Sequence, residues 1–137
     1  MPDYREIAHA FDVVAGDYDA VYGSEGNAVM TWMRRESLAL LYEAFPLGSH
    51  LLEIGCGTGE EAVALAQAGR RVLATDISPQ MAARTQAKAQ DVGVKDRVTA
   101  LAAPGSVPPP AAGLATGAGR RTGRRRSLRV HTLSRGA

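Results

Sequence analysis

The sequence has little cysteine and histidine and no long apolar run, which excludes several common classes of protein. It contains one cysteine, Cys56, so no disulfide can form within the chain, and a reducing compartment is expected. Residues 1–20 lack the basic and apolar segments of a secretory signal, and no apolar run approaches the ~20 residues of a membrane-spanning helix. The three histidines, His9, His50 and His131, show no ligand spacing. We therefore expect a soluble, cytoplasmic protein with no metal site.

Acidic and aromatic residues are absent from one end of the chain. Residues 1–103 hold nine Lys or Arg and all 14 Asp and Glu, a net charge of −5. Residues 104–137 hold seven Arg, no acid and no aromatic residue, a net charge of +7. The apolar residues of this second region are mostly alanine, which cannot offset the entropy cost of ordering a backbone. The composition predicts an ordered region at 1–103 and a disordered, basic, Ala/Gly/Pro/Arg-rich tail at 104–137.

Two explanations of the tail remain open. It is either a natural basic segment or the product of a reading-frame shift near residue 103 in GC-rich DNA. Out-of-frame GC-rich codons give Ala, Gly, Pro and Arg, and the simultaneous loss of acids and aromatics favours this second explanation.

The run "GRRTGRRRSLR" is also able to contact nucleic-acid phosphates. No aromatic residue is present there to stack on bases, so a nucleic-acid-binding module is the weaker alternative.

Residues 50–103 alternate between apolar runs of strand length and helical patterns. The predicted strands are "HLLEI", "RRVLATD" and "RVTALAA", and the predicted helices are "GEEAVALAQAG" and "SPQMAARTQAKAQDVG". Ser78 is placed to cap the second of these helices, with Pro79 at its first position. Strands that alternate with helices are typical of a parallel sheet with helices on its faces, an α/β fold.

The N-terminal residues are predicted to be helical and to supply apolar anchors. "NAVMTWMRRESLALLYEAF" predicts a long helix that Asn27 caps. Trp32 and Met33 are expected to lie in the core. The same role is expected for the aromatic residues that precede this helix, Phe11, Tyr18 and Tyr22, although Tyr18 is also placed to close over a ligand.

The stretch "LLEIGCGTGEEAVALA" has three glycines between an apolar run and a helix. A phosphate-binding P-loop that began at Gly55 would need glycine and lysine at positions that Glu60 and Glu61 occupy. A dinucleotide-binding loop would need glycine at residue 60, but the third glycine is Gly59. An acid at the end of the second strand, Asp76, suits the hydroxyls of an adenosine ribose. Glu60 in the first helical turn disfavours a pyrophosphate.

These residues resemble the first nucleotide-binding motif of class I S-adenosylmethionine-dependent methyltransferases. The family pattern, acid-x-Gly-x-Gly-x-Gly, is matched by Glu53, Gly55, Gly57 and Gly59. The segments "FDVVAGDYD" and "ATDISPQMAARTQAKA" are similar to family segments before and after it. The resemblance covers roughly residues 5–102. It implies a Rossmann-like methyltransferase fold, of which strands one to three are recognisable.

The resemblance also implies a cofactor and a set of binding residues. The cofactor is S-adenosyl-L-methionine, and the methyl acceptor is a small molecule that the sequence does not identify. The implied cofactor-binding residues are Glu53, Gly55, Cys56, Gly57, Gly59, Asp76 and Ile77. Gly55 and Gly57 would lie against the methionine part and Glu53 would hold its amino end, while Asp76 would bind the ribose and Ile77 would pack on the adenine. Catalytic residues are not implied, because the family has no fixed one.

The resemblance ends where the family would continue. The family sheet has seven strands with the first one central, and residues from 104 onward show no fourth-strand pattern. We therefore expect "HLLEI" to have an unpaired edge, which favours self-association. Because the ordered region is smaller than a complete domain, we also expect marginal stability and weak or no transferase activity. The alternative to a methyltransferase is that the chain is a fragment of an NAD(P)-dependent oxidoreductase with a Rossmann fold.

Overall fold

The computed structural model describes residues 3–22, 27–105 and 128–130. Three helices come first: α1 (Tyr4–Val14), α2 (Tyr18–Tyr22) and α3 (Ala28–Ala44). Strands and helices then alternate: β1 (His50–Ile54), α4 (Glu60–Gln67), β2 (Arg71–Asp76), α5 (Pro79–Asp91) and β3 (Val98–Ala102). The last described element is the short strand β4 (Leu128–Val130). Among these residues, every helix is too short or too polar to cross a membrane.

The strands form one parallel sheet in the order β3-β2-β1-β4. Leu52 of β1 is aligned with Leu73 of β2, and Asp76 at the end of β2 is aligned with Ala102 of β3. All strands therefore end at the same edge of the sheet. The predicted α/β fold, with three parallel strands and flanking helices, is confirmed.

Strand β4 corrects two expectations about the sheet and the tail. Residues Leu128–Val130 pair in parallel with Leu51–Glu53, so the β1 edge is paired there and not open as expected. The same three residues form a strand within the tail that composition predicts to be disordered. A central strand presents backbone N–H and C=O groups on both sides, and three residues are enough to pair with some of them. A run this short has no detectable apolar period, so the sequence does not reveal it. The rest of residues 106–137 lies outside the described residues.

Helix α4 is covered on two sides, as its mostly apolar circumference predicts. Ala62 and Leu65 belong to a core cluster with Leu51 and Val72 of the sheet. Val63 and Ala66, on the adjacent side of the same helix, belong to a second cluster with Ala89, Val94 and Val98. This double packing fixes the start of α4, and therefore the loop that precedes it.

Helix α3 packs differently from its prediction. Trp32 is 58% exposed and Met33 38% exposed, so neither is a core residue. The side that contacts the core carries Leu41 and Tyr42, and Arg34 forms an ion pair of 2.6 Å with Glu61 of α4. A helix with apolar residues on several sides does not show which side is buried until its partner is known. The core prediction for Trp32 and Met33 is therefore wrong.

The end of α3 is held by a buried arginine. Arg70 is only 6% exposed, and its guanidinium donates to the carbonyls of Phe45, Tyr42 and Ala68 at 2.6–3.2 Å. The same guanidinium lies 5.2 Å from the centre of the Tyr42 ring. Arg70 thus joins the C-terminal ends of two helices, where carbonyl oxygens have no partner within the helix.

We expect Arg70→Met to lower the free energy of unfolding by about 2–4 kcal/mol, because it leaves buried carbonyl oxygens without donors. Methionine keeps most of the volume and the apolar stem of arginine. Urea unfolding followed by circular dichroism measures the change. The control is Arg35→Met on the exposed side of α3, where Arg35 pairs with Glu36 at 3.6 Å, and we expect less than about 0.5 kcal/mol there. Equal effects of the two substitutions would contradict this account of Arg70.

Candidate functional site

The glycine loop between β1 and α4 has a backbone that requires glycine. Gly55, Gly57 and Gly59 have φ angles of +76°, +55° and +86°, in the left-handed region that L side chains rarely adopt. The N–H groups of Gly55 and Cys56 both donate to the carbonyl of Thr75, at 2.7 and 2.8 Å. The loop is therefore fastened to the end of β2, which brings it close to Asp76.

Asp76 is held by both sides of the site. Its Oδ2 accepts a hydrogen bond of 2.9 Å from the N–H of Gly57, and its Oδ1 accepts one of 2.9 Å from the N–H of Ser78. The residue is 8% exposed, so it is not a fully solvated acid at the end of a strand. The structure thus brings together the glycine loop and the acid that lies 19 residues after Gly57.

An open cleft of about 210 Å³ lies at this edge of the sheet. Four of the predicted site residues line it: Gly55, Gly57, Asp76 and Ile77. The remaining lining residues are mostly apolar: Phe11, Tyr18, Ile54, Met81, Ala103 and Gly105. In the described part of the chain, the cleft lining includes no Lys, Arg or His. The cleft therefore combines one carboxylate and an exposed loop backbone with apolar walls.

The other three predicted site residues lie behind the cleft. Glu53 is 2% exposed on β1, one residue before the lining residue Ile54. Cys56 is 4% exposed, and its Sγ lies 3.4 Å from Oγ1 of Thr85. A Cβ atom at Gly59 would lie 2.7–2.9 Å from the side chain of Thr85. These residues do not line the cleft, and Cys56 and Gly59 instead fix the loop against α5.

Burial raises the pKa of the Cys56 thiol to about 12, although the hydrogen bond with Thr85 acts in the opposite direction. The negative charges of Glu53 and Asp76 act in the same direction as burial and contribute to this value. A thiol with this pKa has almost no thiolate at neutral pH and is not a nucleophile.

We expect Cys56 in the native chain to react with 5,5′-dithiobis(2-nitrobenzoate) at pH 8 at least about 100-fold more slowly than in urea, because the thiolate is the reacting form. In the unfolded chain the thiol returns to its ordinary pKa of about 8.5. The release of thionitrobenzoate at 412 nm measures both rates. Comparable rates in the two states would show that Cys56 is accessible and ionised in the native protein.

The N-terminal helices form one wall of the cleft, of which the sequence predicts only the alternative placement of Tyr18 over a ligand. Phe11 of α1 is 40% exposed and lines the cleft, so its assignment as a core anchor is wrong. Tyr18 of α2 also lines the cleft, and its Cε1 lies 3.9 Å from a Cβ built on Gly57. This position agrees with the alternative that Tyr18 closes over a ligand. The side chain of Tyr22 lies outside the described residues.

A charged network ties α2 to the glycine loop and to α5. Oγ1 of Thr58 donates to Asp19, and Nζ of Lys88 lies 3.0 Å from Asp19 and 3.3 Å from Glu60. Partial burial acts to raise the pKa of Asp19, but the hydrogen bonds from Thr58 and Lys88 outweigh it and lower that pKa. The start of α4 is therefore occupied by the chain's own carboxylates and by the lysine that neutralises them.

The described residues contain no group of three His, Cys, Asp or Glu side chains placed to hold a metal ion.

Comparison with known proteins agrees with this geometry. Residues 51–112 match the family described as "Methyltransferase domain". The structure of magnesium protoporphyrin IX methyltransferase (ChlM) from Synechocystis PCC 6803 with bound SAH is similar, with a TM-score of 0.62 and 26% identity. The alignment covers 75% of this chain and 52% of that one. The same enzyme with bound SAM gives a TM-score of 0.60.

A third similar structure shows the fold alone. The [4+2]-cyclase SpnF is 20% identical, with a TM-score of 0.61, over 71% of this chain and 41% of that one. No curated protein sequence matches this chain significantly. The chain spans about half the length of the Synechocystis enzyme, 52%.

The described residues thus have the Rossmann-like fold of S-adenosylmethionine-dependent methyltransferases, and residues 51–112 match a methyltransferase domain. The family resemblance that the glycine loop and Asp76 predict is confirmed.

Proposed function

We propose that the cleft binds S-adenosylmethionine and that this chain is the cofactor-binding region of a methyltransferase with a small-molecule acceptor. One observation carries the proposal. The backbone of the glycine loop and the carboxylate of Asp76 share a cleft whose lining, within the described residues, has no cationic side chain. An adenosine without phosphates fits such a lining, whereas a pyrophosphate at the start of α4 would meet the carboxylates of Glu60 and Glu61 in its first turn.

Each part of the cofactor has a residue of suitable chemistry in the cleft. The Asp76 carboxylate would accept hydrogen bonds from the ribose hydroxyls, because each of its oxygens keeps capacity beyond the single N–H it now accepts. Ile77 offers an apolar surface to the adenine, beside Phe11 and Met81. Gly55 and Gly57 leave the loop backbone accessible to the methionine part, since they have no Cβ.

The residues behind the cleft have supporting roles in the proposal. Glu53 is buried next to the lining residue Ile54, and its carboxylate would hold the amino end of the cofactor directly or through water. Cys56 and Gly59 bind no part of the cofactor through side chains. They would set the shape of the loop through their contacts with Thr85.

When bound, S-adenosylmethionine supplies a methyl group that is already activated by a sulfonium centre. The task of the chain is to orient the cofactor and exclude water, and such positioning contributes up to ~7–11 kcal/mol to a reaction of this kind. A fixed general base is not required, so no catalytic residue is assigned.

Isothermal titration calorimetry with S-adenosylhomocysteine and with NAD tests the proposal. We expect saturable binding of S-adenosylhomocysteine and no detectable binding of NAD at the same concentrations. Preferential binding of NAD would favour the oxidoreductase alternative, and binding of neither ligand would contradict a cofactor site. Because binding is measured, the result does not depend on the acceptor.

Two further parts of the proposal concern the protein as a whole. We propose that residues 1–103 form the cofactor-binding region and that residues 104–137 do not contribute a nucleic-acid site. We also propose a cytoplasmic location, supported by the single buried cysteine. Cell fractionation followed by immunoblotting tests the location. Nucleic-acid binding that disappears when residues 104–137 are deleted would contradict the proposal for the tail.

A further inference from the structure

Asp12 on α1 makes contacts for which the proposed function does not account. Its Oδ1 accepts hydrogen bonds from the Ser78 hydroxyl and from the N–H of Gln80, the latter at 3.1 Å. Asp12 is thus bonded to the start of α5, 66 and 68 residues further along the chain. The Ser78 hydrogen bond, followed by that of Gln80, lowers the pKa of Asp12. Asp12 is therefore ionised at neutral pH.

Ser78 connects Asp12 to the site. Its side chain is fully buried, its hydroxyl donates to Asp12, and the same oxygen accepts from the N–H of Met81 at 3.1 Å. Its backbone N–H donates to Oδ1 of Asp76. The hydroxyl and the backbone N–H of Ser78 thus both form hydrogen bonds. Because the N–H binds Asp76, the orientation of the Ser78 peptide affects the position of the Asp76 carboxylate.

The other carboxylate oxygen of Asp76, Oδ2, is held by the glycine loop. Oδ2 accepts from the N–H of Gly57, so the carboxylate is held between Ser78 on one side and the glycine loop on the other. A loss of Asp12 leaves the Ser78 hydroxyl without its acceptor and the N–H of Gln80 without its partner, so the start of α5 is no longer tied to α1. The carboxylate would then keep its charge but not its fixed direction.

We propose that Asp12 is a positioning residue that orients the Asp76 carboxylate through Ser78 for the ribose hydroxyls of the nucleoside ligand. The inference rests on the proposed function, because it needs a ribose at Asp76. It assigns to the N-terminal helix a role in setting the direction of a hydrogen bond, in addition to forming a wall of the cleft.

The test compares two ligands, S-adenosylhomocysteine and its 2′-deoxy analogue, by calorimetry on the full chain. The ratio of their dissociation constants reports only the 2′-hydroxyl contact. We expect a ratio of about 10 or more in the wild type, since one hydrogen bond to a charged group gives about this factor. In Asp12→Ala we expect a ratio of about 3 or less, because a misaligned hydrogen bond weakens steeply.

The conservative variant Asp12→Asn should restore the wild-type ratio. Both contacts of Asp12 are made by the single oxygen Oδ1, so the amide oxygen of asparagine can accept both. Ser78→Ala removes the hydroxyl and keeps the N–H that binds Asp76, and it should lower the ratio as Asp12→Ala does. This second variant decides the question if Asp12→Ala fails to fold, as judged by circular dichroism.

Glu6→Ala is the matched comparison. It removes another carboxylate from the same helix, α1, at an exposed position in its first turn. It should leave the affinity for each ligand within about twofold and the ratio unchanged.

The outcomes separate the inference from the function on which it rests. An unchanged ratio in Asp12→Ala and Ser78→Ala, or an equal fall in Glu6→Ala, would overturn the role of Asp12 alone. A wild type that binds neither ligand would overturn the proposed function and the role of Asp12 with it.

Discussion

Asp76→Ala is expected to weaken the binding of S-adenosylhomocysteine by about 100-fold or more. Two hydrogen bonds between ribose hydroxyls and a charged acceptor are lost, and each contributes about 1.5–3 kcal/mol. Asp76 also accepts from the N–H groups of Gly57 and Ser78, so its removal leaves both sides of the cleft less ordered. Isothermal titration calorimetry on the full chain measures the change.

Two control variants separate the contribution of the carboxylate from a general loss of structure. Asp91→Ala removes an exposed carboxylate at the far end of α5 and should leave the affinity within about twofold, as expected for surface positions. Asp76→Asn keeps the shape of the side chain and one acceptor for Ser78 but loses the charge, and it should still weaken binding by about 10-fold. An affinity in Asp76→Ala within a few-fold of the wild type would show that the ligand is held elsewhere.

Gly59→Ala is expected to destabilise the fold by roughly 3 kcal/mol, through backbone strain and overpacking together. The φ angle of +86° disfavours a side chain, and a Cβ would lie 2.7 Å from Cγ2 and 2.8 Å from Oγ1 of Thr85. Thr85 is fully buried and donates to the carbonyl of Gly57 at 2.8 Å, so it cannot move without disturbing the loop. Urea unfolding measures the stability, and we expect cofactor affinity to fall with it.

Gly93→Ala is the control for the backbone term alone. Gly93 has a φ of +79°, and a Cβ there would meet nothing within 4 Å. We expect a loss of about 1 kcal/mol for this substitution. Thr85→Ala in the Gly59→Ala background removes the two closest atoms and should recover part of the difference. Equal effects at Gly59 and Gly93 would contradict a steric role for Thr85.

The sequence predicted the central part of the fold because several local signals agree there. The apolar run before Gly55 has the length of a buried strand, and Ser78 caps α5 by accepting from the N–H of Met81, as predicted. The meeting of Gly57 and Asp76 also follows from the pattern, since parallel strands end at one edge of the sheet.

Apart from the alternative role of Tyr18, the sequence does not predict the N-terminal wall of the cleft, and the reason is physical. The cleft residues and hydrogen-bond partners that lie beside Phe11, Asp12 and Tyr18 are more than 35 positions away in the sequence. The local period of an amphipathic helix does not show which distant element it will pack against. The sequence signal is present in "FDVVAGDYDA", where three acids accompany two aromatic residues. Two of these acids, Asp12 and Asp19, accept hydrogen bonds from Ser78 and Thr58, which are close in sequence to the site residues Asp76 and Gly57.

For α3 the sequence predicts too much burial, because apolar residues lie on more than one side of the helix. Apolar residues such as Trp32 suggest burial, but Leu41 and Tyr42 make the core contact instead. Composition alone therefore overestimates how much of this helix is enclosed.

The place of β4 in the sheet gives the cleft a topological meaning. From β1 the chain builds outward through β2 and β3, whereas β4 lies on the other side of β1. In open parallel sheets the order of strands reverses at such a switch point, and the connections that leave it in opposite directions open a crevice beyond the carboxyl ends of the strands. Val130 is aligned with Glu53, so this reversal falls on the strand that leads directly into the glycine loop.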